Sequence, residues 1–305
     1  MTPPTPARPT QCTFTARARL ACAGLLATLL AGCALTPEVT LRPDTIYVIT
    51  GRNELVRFNA ARPDHLDEVV AVKGLQPGET VMGMDFRPAN GRLYLAGSTG
   101  SLYTLDTKTG LATRVGSGTI SGAMSGFEAG FDFNPVVDRI RMVDNEGNNF
   151  RVHPDTAEMV DGSAAMAGVQ PDRRLAYSPE DINAGRISRV VAVAYTRGAG
   201  ATGTTNYAIE AAQATLVTMG RPEGTTPAKT PSNPNDGQLF TVGRLGVMTG
   251  MRVSFDIHPT RASAYASFLE DGRSVLYEIN LSSGAAKRIG DIGIGLVVRG
   301  LAIAP

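Results

Sequence analysis

The chain has 305 residues, with 29 basic and 28 acidic side chains, 34 glycines, 19 prolines and no tryptophan. A formal net charge of +1 leaves no electrostatic footprint for nucleic acid and none for an anionic membrane surface. Period-2 patterns and short apolar runs dominate after Cys33, with hardly any apolar spacing of 3.6 residues, which predicts short strands joined by tight turns.

In chain order the first element is a leader. Arg8, Arg17 and Arg19 precede a weakly polar to apolar run over residues 20–31, with no acidic side chain among them. Charge followed by a short apolar stretch is the order of a secretory signal, and a dozen residues are too few to span a bilayer as a permanent helix. The run ends in Leu30-Ala31-Gly32-Cys33, which resembles the lipobox of bacterial lipoproteins. That resemblance implies cleavage before Cys33, a thioether-linked lipid on its sulfur, and acylation of the new amino group by a fatty acid such as palmitate. Two or more acyl chains anchor a protein stably, where one does not. Ordinary signal cleavage near Ala34 with a soluble product is the alternative. Ala34 stands where an Asp would signal retention in the inner membrane, so the analogy points to the outer membrane of the envelope.

Cleavage there takes away 32 residues and three arginines, leaving 273 residues with 26 basic and 28 acidic side chains. It also removes Cys12 and Cys22, and with Cys33 lipidated no thiol remains for a disulfide, a redox pair or a thiolate metal site. Residues 33–43 form a lipid-anchored tether that reaches at most ~40 Å.

The remainder, residues 44–305, reads as one repeat-built domain. One line recurs as Asp85-Phe86-Arg87-Pro88, Asp132-Phe133-Asn134-Pro135 and Asp256-Ile257-His258-Pro259, with weaker copies Ala176-Tyr177-Ser178-Pro179 and Ala302-Ile303-Ala304-Pro305. The proline ends a strand because it cannot donate to a ladder. A second line, Leu102-Tyr103-Thr104-Leu105-Asp106 and Leu276-Tyr277-Glu278-Ile279-Asn280, follows at a regular offset and runs into Gly-containing turns. Four antiparallel strands in about 45 residues make one propeller blade.

The first-line positions 85, 132, 176, 256 and 302 predict an all-β β-propeller of five four-stranded blades. Their bounds are about 45–75 plus 296–305, 80–118, 127–168, 172–245 and 250–290. The long fourth gap contains residues 220–237, a Pro-, Thr- and Gly-rich stretch that reads as an inserted flexible loop. A sixth, degenerate blade near Met219 is the alternative, although only residues 239–242 would remain to build it. The domain opens on second- and third-strand patterns at 46–49 and 54–59 and ends on a first strand at 300–305. The C-terminal strand is therefore expected to complete the first blade and close the ring without an exposed edge.

The runs Gly83-Met84-Asp85-Phe86-Arg87-Pro88, Phe131-Asp132-Phe133-Asn134-Pro135 with Asp138-Arg139-Ile140-Arg141, and Val298-Arg299-Gly300-Leu301-Ala302 resemble an uncharacterised family of bacterial secreted proteins and lipoproteins catalogued as a domain of unknown function. The resemblance covers about residues 44–305 and implies a propeller-like fold, with no activity attached.

Asp85, Asp132 and Asp256 are the candidate channel site. On innermost strands, their carboxylates approach the central channel and suit a hard cation, with Ca²⁺ the candidate ion and no other cofactor implied. The competing reading is structural: hydrogen bonds to backbone amides, or pairs with Arg139, Arg141 or Arg299, stitching neighbouring blades. The run Asp144-Asn145-Glu146-Gly147-Asn148-Asn149 superficially resembles a calcium loop, but its glycine is misplaced and it reads as a decorated hairpin turn. His65, His153 and His258 fall on unrelated positions, which excludes a zinc or copper centre at this level. No nucleophile elbow, zinc-protease helix or phosphate loop is present, and the absence of tryptophan excludes the blades of quinone-dependent dehydrogenases. Seven tyrosines at strand positions (Tyr47, Tyr94, Tyr103, Tyr195, Tyr207, Tyr265 and Tyr277) read as packing between blades.

The expected function is therefore a non-enzymatic binding or scaffold propeller anchored in the envelope. Its partners would be the membrane through the lipid, and an envelope protein or small molecule. The alternative is a metal-dependent hydrolase or lactonase using the channel carboxylates.

Overall fold

A computed structural model describes residues 1, 40–120, 126, 128–225 and 232–305. Cys33 and the leader lie outside the described residues, as does the middle of the 220–237 insertion. Among the described residues no helix is long and apolar enough to cross a membrane.

The first blade holds β1 (Thr45–Thr50), β2 (Glu54–Asn59) and β3 (Leu66–Ala71). The second holds β4 (Val81–Phe86), β5 (Leu93–Gly97), β6 (Leu102–Leu105) and β7 (Ala112–Val115), and the third β8 (Ala129–Asn134), β9 (Arg139–Asp144), β10 (Asn149–Val152) and β11 (Met159–Val160). The fourth runs from β12 (Ala176–Tyr177) through β13 (Val190–Tyr195), β14 (Asn206–Glu210) and β15 (Thr215–Met219) to β16 (Gln238–Arg244). The fifth contains β17 (Val253–Ile257), β18 (Ala264–Glu270), β19 (Arg273–Ile279) and β20 (Ala286–Asp291), and the chain ends on β21 (Val298–Ile303).

These strands form five sheets, and the protein is an all-β, five-bladed propeller. The first sheet has the order β21-β1-β2-β3, so the C-terminal strand is its innermost member. Antiparallel pairing of Ile46 with Ile303 and Val48 with Leu301 closes the ring as the order of the strand patterns predicts. Inner strands β21, β4, β8, β13 and β17 contact one another in ring order.

Apolar burial lies between the blades. Five clusters of buried side chains each join one blade to the next, for example Tyr94, Phe131 and Phe133 between blades two and three. Tyr94 and Phe133 meet edge-on at 5.2 Å, and the hydroxyl of Tyr94 accepts from Arg87 at 3.0 Å. Tyrosine suits such seams because its ring packs while its hydroxyl reaches a polar partner at the rim.

Blade four departs from the expected pattern. The copy Ala176-Tyr177-Ser178-Pro179 is not an inner strand; its residues Ala176 and Tyr177 form β12, which pairs in parallel with β16 at the outer edge of a five-stranded sheet. The inner strand is β13, an unbroken buried run Val190–Tyr195 with neither the aspartate nor the proline of its counterparts. A strand buried on both faces needs only apolar side chains and a free backbone edge, so it was visible as a run but not as a repeat.

The described ends of the 220–237 insertion are tied down. The amide of Arg221 donates to the carbonyl of Ser232, and the 3-10 turn Pro234–Asp236 is capped by Asn233, whose side chain accepts from the amide of Asn235.

Candidate functional site

The inner strands share a residue pattern that sets the channel. Two positions before the aspartate stand Gly83, Gly130, Ala192, Ser254 and Gly300, and with their neighbours they line a waist whose open volume is only about 20 Å³. A Cβ on Gly130 would come within 2.8 Å of the Val193 amide nitrogen, so the small side chain is what lets adjacent inner strands approach.

Beyond the waist sit the three carboxyls. Asp85 on β4, Asp132 on β8 and Asp256 on β17 are 7 %, 3 % and 5 % exposed, and each places an oxygen within 4.8 Å of the others. Among the described residues they form the one group of three or more His, Cys, Asp or Glu side chains so arranged. Each also accepts a main-chain amide from the next inner strand: Phe133 donates to Asp85 at 2.9 Å, Tyr195 to Asp132 at 2.9 Å, and Ile303 to Asp256 at 2.6 Å. The donor is always the residue one past the repeat position. That rule puts Ala194, not Ala176, at the fourth position of the ring, with Ala302 at the first.

Both readings of the aspartates are thus present in one geometry. They stitch blades through amides, and they converge. Among the described residues none forms an ion pair with Arg139, Arg141, Arg299 or any other base. Burial raises all three above the ordinary carboxylate range. Asp85 is pushed well up by burial and then by Asp256, and Asp132 by burial, Asp85 and Asp256. Asp256 rises to about 7, its burial partly offset by the amides of Ile303 and Ile257. Three carboxyls this close cannot all ionise without a cation, so at neutral pH they hold protons among them.

These carboxyls form the floor of a cavity of about 290 Å³ at the channel mouth. Half-buried Phe86 and the prolines Pro88, Pro259 and Pro305 border it, Phe133, Ile257 and Ile303 adjoin it from the seam cores in which they are buried, and Arg197 stands at its edge. The repeated proline therefore does two things: it ends the inner strand and it supplies an apolar lip.

The other candidates resolve simply. The run from Asp144 to Asn149 is the β9–β10 hairpin turn, in which the fully buried Asp144 accepts the amides of Glu146 and Asn148, each at 3.0 Å. His258 is buried, with Nδ1 accepting the amide of Thr260 at 3.1 Å, and no histidine joins a metal-ready group among the described residues. Residues that the repeat did not mark are Tyr195 and Arg197 at the mouth, and Arg151 with Asp172 beside β9. The apolar run before Tyr195 was the one available signal.

The pattern of the family described as Domain of unknown function (DUF4394) matches residues 54–302. The chain belongs to this family. No curated protein matches the chain. Among solved structures, a nidogen/laminin complex aligns at TM-score 0.46 and 11 % identity, covering 86 % of this chain and 98 % of that one. A structural genomics protein of unknown function from Bacteroides thetaiotaomicron VPI-5482 aligns at TM-score 0.47 and 13 % identity, over 85 % of this chain and 67 % of that one. TolB from Acinetobacter baumannii aligns at TM-score 0.40 and 12 % identity, over 86 % and 67 %.

Proposed function

We propose that this member of the family is a lipid-anchored, non-enzymatic binding propeller of the bacterial envelope, with the channel mouth as its ligand seat. The reading rests on the 290 Å³ cavity with a lip of Phe86 and three prolines over a carboxyl floor. Small-molecule sites have this composition: mostly apolar lining with a few convergent polar groups that fix orientation. A ligand with an apolar body and an ammonium head fits best. Its charge would replace a proton shared by Asp85, Asp132 and Asp256, and its body would displace water from Phe86 and the proline lip. The lipid expected on Cys33 would hold the propeller in the envelope, where such a ligand would be met.

The convergence of the carboxyls favours one second reading, a Ca²⁺ site serving a hydrolase or lactonase. Ca²⁺ takes six to eight oxygen ligands. Here blades four and one supply Ala194 and Ala302, and both Asp256 oxygens already accept amides. Thermal shift on the wild type and Asp132→Ala separates the readings, with hexylammonium and Ca²⁺ as probes. The binding reading expects hexylammonium to raise Tm in the wild type and not in the variant. Stabilisation by Ca²⁺ alone would replace it with the metal reading. No response to either probe would sink both.

A further inference from the structure

A second cavity, of about 350 Å³, opens between blades three and four. It lies within the usual range for small-molecule sites. Its wall includes Arg139, Arg141, Arg151, Tyr195, Asn134 and Asn235. The strand pattern explains the grouping. Arg139 and Arg141 are two apart on β9 and so share a face, and Arg151 on β10 is the cross-strand partner of Arg141.

One carboxylate serves two of the three arginines. Asp172, whose side chain is fully buried, accepts from Arg141 Nη1 at 2.5 Å and from Arg151 Nε and Nη2 at 2.9 and 2.8 Å. Arg141, 2 % exposed, is fixed further by Asn149, by Asn235 and by the Tyr195 hydroxyl. Arg139 is different. Its Nη1 donates only to the carbonyls of Val137 and Asp138, and among the described residues no carboxylate lies within ion-pair distance of it. Two other carboxylates lie nearby without forming an ion pair with these arginines: Asp155 is held by Arg87 and also feels the charge of Arg139, and Asp161 accepts the amides of Ser163 and Gln170 and also feels the charge of Arg151. The Nε and Nη2 of Arg139 and the Nη1 of Arg151 therefore have no protein acceptor among the described residues.

Three guanidinium groups with one fully buried carboxylate among them, in a concave wall, concentrate positive potential, and the planar forks that keep free donors match the oxygens of carboxylates and phosphates. A rigid Arg141–Asp172–Arg151 unit orients the donors beforehand, so little side-chain entropy is lost when a ligand arrives. We propose that this cleft binds a small organic anion through a carboxylate or phosphate group, with Arg139 as the main ligand-facing cation and Arg151 as its partner. The site shares only Tyr195 with the channel mouth, and its failure would leave the reading of that mouth untouched.

Calorimetric titration of the full chain at fixed ionic strength tests it, with succinate and inorganic phosphate as separate probes. At least one is expected to bind with unit stoichiometry, and the stronger of the two names the oxyanion class. Arg139→Ala is expected to weaken that binding about tenfold or more, with partial recovery in Arg139→Lys, while Tm stays near the wild-type value. If Arg139→Ala does not fold, Arg139→Gln carries the same expectation. Absence of binding by either probe up to about 10 mM would overturn the proposal, as would equal binding by the wild type and the Arg139 variants.

Discussion

Asp85, Asp132 and Asp256 each bind the next blade and crowd one another, and the two roles pull their protonation in opposite directions. An amide donor favours the carboxylate, whereas burial and a neighbouring carboxyl favour the acid. Burial wins, most legibly at Asp256, which rises to about 7 from an ordinary 3.8. The folded protein therefore keeps a proton that the unfolded chain has lost, across the window from about pH 4 to about pH 7. Within that window stability falls as pH rises. The contribution is full below the unfolded value and gone above the folded one, with a slope of at most about 1.4 kcal/mol per pH unit for each proton. Asp256→Asn is expected to cost about 1–2 kcal/mol at low pH, where it loses an acceptor, and then to lose less than the wild type up to pH 7. Urea denaturation of both proteins across that range checks this. Equal pH slopes would show that Asp256 does not carry the proton.

At the scale of elements, the closing strand is the most exposed to test. β21 pairs with β1 inside the first sheet, and its Ile303 amide satisfies Asp256 across the fifth seam. Deleting residues 296–305 removes both contacts, uncovers the inner edge of β1, and leaves a buried carboxyl without its donor. The truncated chain is expected to lose cooperative unfolding by calorimetry, and a melt like that of the full chain would contradict closure by this strand. Elements also show where repeat reading stops. Blades two, three and five carry the aspartate and the proline on their inner strands, so their positions were plain from residues 85, 132 and 256 alone. Blade four replaces both with Ala194 and Arg197, and its weak copy at Ala176 reports an edge strand instead.

For the whole molecule, the five seams between blades carry the apolar burial, and after the expected cleavage no cysteine pair would be left to staple the ring. The anchor expected at Cys33 leaves a dozen residues before β1, a reach of at most ~40 Å, which would keep the propeller close to the bilayer. Expressed in a bacterium, the wild type is expected to fractionate with membranes and Cys33→Ala to move to the soluble fraction. A Cys33→Ala protein that stays with the membranes would contradict lipid anchoring.

By itself the sequence determined the class and the manner of closure, and it favoured five blades over six although its fourth marker, Ala176, falls on an edge strand. These depend on local facts that repeat: a strand that must end at a proline, a hairpin that needs a glycine, and a chain that starts on a second strand and ends on a first. It also marked Asp85, Asp132 and Asp256 as equivalent, because equivalence around a ring appears as periodicity along the chain. The tertiary structure alone decided that their oxygens lie within 4.8 Å, since that distance depends on how tightly five inner strands close around small residues. It also brought Asn235 to Arg141, 94 residues away, and set Asp172 between Arg141 and Arg151. No repeat encodes those contacts, because they join unlike segments across a single seam, and only the packed ring brings such segments together.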